Sequence, residues 1–200
     1  PNCSQCCHAY NKIRANDKGL LSINRSAECE RDLTIEELIM YNHPPQLCTQ
    51  VFKREVVELD MPITALAKVG DYPLLLKSLL FGNVHYIDEV MSSYRVSADG
   101  SWSKRVFAKV EKQNEHWQNI IAFLNAFNEY TEFKYDKFIE QKLQSIRFTV
   151  AMLNQRYAEA KKCEWYQNAA RTQKFEITIG RVSPRLAQFI KKTYRKKRGR

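Results

Sequence analysis

The sequence predicts an α/β fold followed by an α-helical extension, and three observations carry that prediction. Residues 3–13 read as a strand, and residues 84–94 as a second one with Val84, Tyr86, Val90 and Tyr94 at even spacing. A short apolar helix through Phe81 follows a tight turn at Gly70 and Asp71. From Lys104 onward the apolar residues fall at three- and four-residue intervals, the period of a helix face.

In chain order, the first strand ends at a hairpin turn, Asn16-Asp17-Lys18-Gly19, where glycine is expected to supply the positive φ. Residues 20–23 return as its partner. Thr34 and Glu37 have the spacing of a capping box, which opens a short helix through Tyr41; His43-Pro44-Pro45 ends it, because proline cannot continue a helix. Residues 47–54 read as another strand. Asp71 is placed as the N-cap of the next helix, with Pro73 in the first turn, and Gly82 stops that helix. A small-residue loop at 97–103 holds Trp102, and Arg95 precedes it.

Beyond it lies a stripe of Val106, Val110, Trp117, Ile120, Ile121, Leu124 and Phe127. A second helix shows Ile139, Leu143, Ile146, Val150, Leu153 and Tyr157 as a seam too short for a sustained coiled coil, so it reads as half of an antiparallel helical hairpin. Residues 175–179 read as a brief strand. Ser183-Pro184 opens a last helix that runs into a basic tail.

Composition sets broad limits. With 44% hydrophobic and 12% aromatic residues, the chain can build a core. No apolar run approaches the roughly 18–20 residues of a membrane-spanning helix. The net charge is +10, and seven of the last ten residues, 191–200, are Lys or Arg, which leaves +3 for the other 190. That tail is either a solvated terminus or a binding element for an anionic membrane surface or nucleic acid. No nucleic-acid recognition motif accompanies it. Six cysteines stand at 3, 6, 7, 29, 48 and 163. Cys3, Cys6, Cys7 and His8, with His43 and Cys48, contain one C-x-x-C spacing but no second pair, so strand thiols are preferred over a zinc site.

Residues 70–103 resemble the second half of the catalytic domain of bacterial family 2 glycosyltransferases, which have the GT-A fold. The residues concerned are Gly70-Asp71-Tyr72-Pro73-Leu74, the run from Gly82 to Val96, and Gly100-Ser101-Trp102-Ser103. Ser97 stands where that family commonly has histidine. Residues 1–103 would be the acceptor-side half of such a domain, and 104–200 a helical extension. The resemblance implies an inverting transferase, hexosyltransferase-like, acting in the synthesis of bacterial surface glycans. It would move a sugar from a nucleotide-diphosphate donor to a glycan or lipid-linked acceptor, in the cytoplasm and peripheral to the inner face of the membrane. It further implies Asp71 as general base, with Tyr94, Arg95, Ser97, Ser101 and Trp102 lining the substrate. A divalent metal, magnesium or manganese, would be held by a D-x-D motif, and no D-x-D occurs in these residues. The chain begins at Pro1, so it is read as a piece of a longer enzyme, expected to be inactive alone. The other readings are a plain helix cap for Asp71, a surface ion pair with Asp88 or Glu89 for Arg95, and a packing role for Trp102. A nucleic-acid-binding or helical partner-binding module is the alternative for the whole chain.

Overall fold

A computed structural model describes residues 2–40, 45–96, 98–183 and 185–187. Ser97, His43 and the basic tail therefore lie outside the described residues. The fold is mixed α/β, a curled mixed sheet with several helices. Its residues form two compact units, Pro1–Ile139 and Glu140–Arg200, whereas the sequence reading divides the chain after Ser103.

The first unit is built on strand β1 (Cys3–Arg14). It forms a hairpin with β2 (Leu20–Asn24) and runs parallel to β5 (Asn83–Val96), which in turn pairs with the two-residue β3 (Arg31–Asp32). The sheet order is β2-β1-β5-β3, and β4 (Gln50–Phe52) pairs antiparallel with residues 5–7 of β1. In the hairpin turn Lys18, not Gly19, takes the positive φ of 58°. The turn is closed by the Asp17 carboxylate, which accepts from the Gly19 N–H at 2.9 Å and pairs with Arg14. A Cβ at Gly19 would meet the Arg14 guanidinium, so the glycine makes room for that pair.

Helix α1 (Ile35–Met40) opens on the expected capping box. The Thr34 N–H donates to the Glu37 carboxylate at 2.9 Å, and the Glu37 N–H donates to Thr34 Oγ1 at 3.2 Å. The expected strand at 47–54 is shorter: a 3-10 turn at Leu47–Thr49, three residues of β4, then helix α2 (Arg54–Glu58). Only residues 50–52 lie along β1, and Val51 turns outward, 65% exposed. A 3-10 helix at Pro62–Ala67 leads to α3 (Asp71–Ser78).

Helix α3 packs Leu75 with Cys7, Ala9, Val84 and Tyr86 of the sheet and with Leu33 and Leu38. Gly82 then turns the chain into β5 at φ 147°, as the Asn83 N–H donates to the Asn2 carbonyl at 2.8 Å. The alternation expected along β5 holds for Val84 and Tyr86, which are buried, but Val90 is exposed. The reason is a pair of bulges: His8 faces Ile87, Ala9 faces Val90 and Tyr10 faces Ser92, so three β5 residues have no β1 partner. One of them, Asp88, accepts from the Tyr86 hydroxyl at 2.8 Å and pairs with Arg25.

Helix α4 (Trp102–Phe107) begins inside the expected loop, and α5 (Val110–Tyr130) follows after a break at Ala108 and Lys109. Ile120, Phe123, Leu124 and Phe127 are the buried face of α5. Residues 131–135 form a turn after α5, with positive φ at Glu132 and Phe133, and Tyr135 stacks on Phe127 at 6.1 Å. Helix α6 (Asp136–Leu153) crosses the unit boundary.

In the second unit α7 (Tyr157–Lys162), a 3-10 turn at Glu164–Asn168 and α8 (Arg171–Val182) close a core of Phe148, Ala151, Met152, Tyr157, Ala160 and Ile177. The brief strand expected at 175–179 is thus part of a helix. Ile177 and Gly180 face inward while Phe175 is 56% exposed, a helical rather than alternating pattern. Ser183 Oγ accepts from the Leu186 N–H at 3.3 Å, as an N-cap does. Among the described residues no helix is long and apolar enough to cross a membrane.

Candidate functional site

Asp71 begins α3, one position later than expected: Gly70 occupies the cap. The carboxylate accepts from the Tyr72 N–H at 2.9 Å and is half-buried. The two residues after it anchor the turn. Tyr72 is buried, donates its hydroxyl to the Ile39 carbonyl at 2.6 Å, and meets Phe123 edge-on at 6.2 Å. Pro73 is buried in the first turn, where its missing N–H costs nothing. Further along, Lys77 donates to the Leu59 carbonyl at 2.7 Å. Burial lowers the pKa of this amine, and Asp60 offsets part of the effect.

The other end of the 70–103 pattern folds as a glycine turn and a cap. Gly100 has φ 73°, a backbone state that costs a glycine little. Ser101 then caps α4, its hydroxyl accepting from the Lys104 N–H at 3.3 Å. Trp102 is thereby set at the first helical position, 39% exposed. Its ring meets His116 edge-on at 5.1 Å and Phe107 at 6.1 Å.

His116 is the residue that sequence reasoning missed. It stands on α5 among the rings of Trp102, Phe107 and Trp117, with Phe107 at 6.4 Å and Trp117 at 4.9 Å. Burial pushes its imidazole pKa down, and the nearby Asp71 carboxylate pushes it back up. Tyr72, next to Asp71, and Trp102, thirty residues apart in sequence, both pack on α5, at Phe123 and His116 respectively. A signal for it exists: His116, Ile120, Phe123 and Phe127 follow a 4-3-4 spacing, with a polar residue at the first apolar position.

Tyr94 and Arg95 occupy another setting. Tyr94 meets Tyr10 edge-on at 6.3 Å across the sheet. Arg95 is exposed and lines an open hollow of about 640 Å³ with Arg14, Asn16, Leu21, Val96 and Asp99. None of these is part of the Asp71–His116 group. The Asp88 carboxylate weighed as a partner for Arg95 is taken by Arg25.

Among the described residues no three His, Cys, Asp or Glu side chains are grouped to hold a metal ion. Of the N-terminal thiols, Cys7 is buried and its pKa is pushed up to about 12, while Cys3 is exposed. No protein-family model, no curated protein and no solved structure matches the chain.

Proposed function

We propose that these residues form the acceptor side of an inverting, family-2-like glycosyltransferase of the GT-A type. The observation that carries the reading is that both ends of the 70–103 pattern meet α5: Tyr72, next to Asp71, packs edge-on with Phe123 at 6.2 Å, and Trp102 packs edge-on with His116 at 5.1 Å. In this reading the acceptor hydroxyl lies within hydrogen-bond reach of the Asp71 carboxylate. As its oxygen attacks the anomeric carbon, the proton passes to Asp71. The bond from that carbon to the nucleotide diphosphate breaks with inversion. Trp102 walls the sugar side of the site, since an indole face offers a broad apolar surface with a polar edge. Arg95, which the resemblance implies as a substrate contact, stands apart from this group, on the hollow at the end of β5, and takes no part in this step. A divalent metal would, in this reading, be held by a D-x-D motif outside these residues and would offset the charge of the leaving diphosphate.

The test is Asp71→Asn in an enzyme that joins these residues to a nucleotide-binding half. Asparagine preserves the size and can still accept from the Tyr72 N–H, so the melting temperature and donor affinity should hold. Loss of a general base lowers turnover by about 10²–10⁴-fold, or roughly 3–5 kcal/mol of barrier. Turnover within about threefold of the parent, far inside that range, overturns the assignment.

A further inference from the structure

We infer that His116 is a positioning residue of this site, fixing the Trp102 ring against α5 through their edge-on contact. What the site does rests on the proposed function; how it is held rests on separate geometry. Trp102 belongs to a six-residue helix that has no buried residue, so α4 cannot place the indole by its own packing. His116 belongs to the opposite kind of element. Helix α5 is 21 residues long, with Ile120, Phe123, Leu124 and Phe127 in the core. A ring on a well-anchored helix is the firm partner, and a ring on an unanchored one is the placed partner.

The edge-on contact at 5.1 Å joins the two, and Trp117, at 4.9 Å on α5 itself, stands beside the imidazole. The charge of Asp71 also favours the charged form of the imidazole, against the larger effect of burial. Beside His116, Glu115 pairs with Lys112 at 2.8 Å and with Lys68 at 3.9 Å. Helix α5 receives both turns: Phe123 meets Tyr72 of the G-D-Y-P-L turn at 6.2 Å, and His116 meets Trp102 of the G-S-W-S turn at 5.1 Å.

The test begins with this chain labelled with 5-fluorotryptophan, whose three tryptophans give separate fluorine resonances; Trp102→Phe assigns one of them. His116→Ala should shift the Trp102 resonance toward its solvent-exposed position and leave that of Trp165 in place. His116→Phe, which restores a ring, should bring it back. Asp71→Asn should lower the pH at which the Trp102 resonance follows the imidazole titration, because the carboxylate favours the charged ring. If His116→Ala does not fold, Trp102→Ala, a change at an exposed position, must move the imidazole resonances of His116 in the reverse measurement.

In the enzyme with its nucleotide-binding half, His116→Ala should raise the acceptor KM by about tenfold to a hundredfold, the cost of a misplaced contact near a reacting centre. The donor KM should stay unchanged, and His116→Phe should recover most of the loss. An unmoved Trp102 resonance in folded His116→Ala, or equal losses in both His116 variants, overturns the inference. If Asp71→Asn leaves turnover intact, the proposed chemistry falls instead. The resonance measurements still decide whether His116 holds Trp102.

Discussion

Glu37 closes the capping box of α1 and also takes both terminal nitrogens of Arg31, at 2.8 and 2.5 Å. The Arg31 guanidinium, helped by the Thr34 N–H, holds the Glu37 carboxyl at about 2 against an ordinary 4.5, despite partial burial. A depressed carboxyl contributes stability that is complete above its unfolded value and is lost as pH falls through the folded one. The window therefore runs from about pH 4.5 down to about pH 2. Both side chains are more than a third exposed, so solvent screens the pair and the nominal shift overstates its worth. Glu37→Gln should cost about 1 kcal/mol at neutral pH, in line with a lost cap and a weak ion pair. Urea unfolding at pH 7 and pH 3 checks this: the gap between variant and parent should narrow at the lower pH, and an equal gap would exclude the pairing as its source.

Single residues also show what the sequence made legible at the site. Asp71 and Trp102 stand out because a local pattern surrounds each. His116 does not, because its partners come from two elements distant in sequence, and only the helix stripe hints at it.

At the scale of elements, the junction between α3 and β5 depends on Gly82. A Cβ there would meet the Asn2 carbonyl oxygen at 2.0 Å, and the φ of 147° is one that other residues rarely adopt. Gly82→Ala should lower stability by about 1–3 kcal/mol, the usual cost of such backbone strain. Thermal unfolding reads that loss directly, and an unchanged melting temperature would mean that the start of β1 yields to the methyl. Strands β1 and β5, the Thr34 capping box and the helical character after Lys104 were legible, since each follows from local periodicity or capping chemistry. Helix α2 and β3 were not, because five and two residues are too few to show a period. Residues 175–179 were misread for a related reason. Phe175, Ile177 and Ile179 alternate in sequence, yet the helix buries Ile177 and Gly180. Gly180 matters there for its lack of a side chain, since a Cβ would lie 2.4 Å from the Tyr157 ring.

For the molecule as a whole, the uneven charge is the most testable property. Residues 191–200 hold seven of the ten net positive charges. If they meet an anionic membrane surface, each basic residue contributes about 1 kcal/mol near it. Sedimentation with vesicles containing phosphatidylserine should then retain the protein at low salt and release it as ionic strength rises. Neutral phosphatidylcholine vesicles should retain little at any salt concentration. Deleting 191–200 should abolish the difference, and equal retention by both vesicle types would exclude an electrostatic membrane role.

The parallel pairing of β1 with β5 also has a consequence for how the chain comes into being on the ribosome. Cys3 and Asn83 are register partners eighty positions apart. At about 5–20 residues per second, the first strand waits roughly 4–16 seconds for its partner to emerge. During that interval β2 is available to it as a hairpin, but its other edge stays open. Pairings so distant in sequence close slowly. The nascent chain therefore carries an uncovered strand edge, with the thiols of Cys3, Cys6 and Cys7 beside it. It is in those seconds, more than in the finished fold, that this protein is most exposed to mispairing and to chaperone capture.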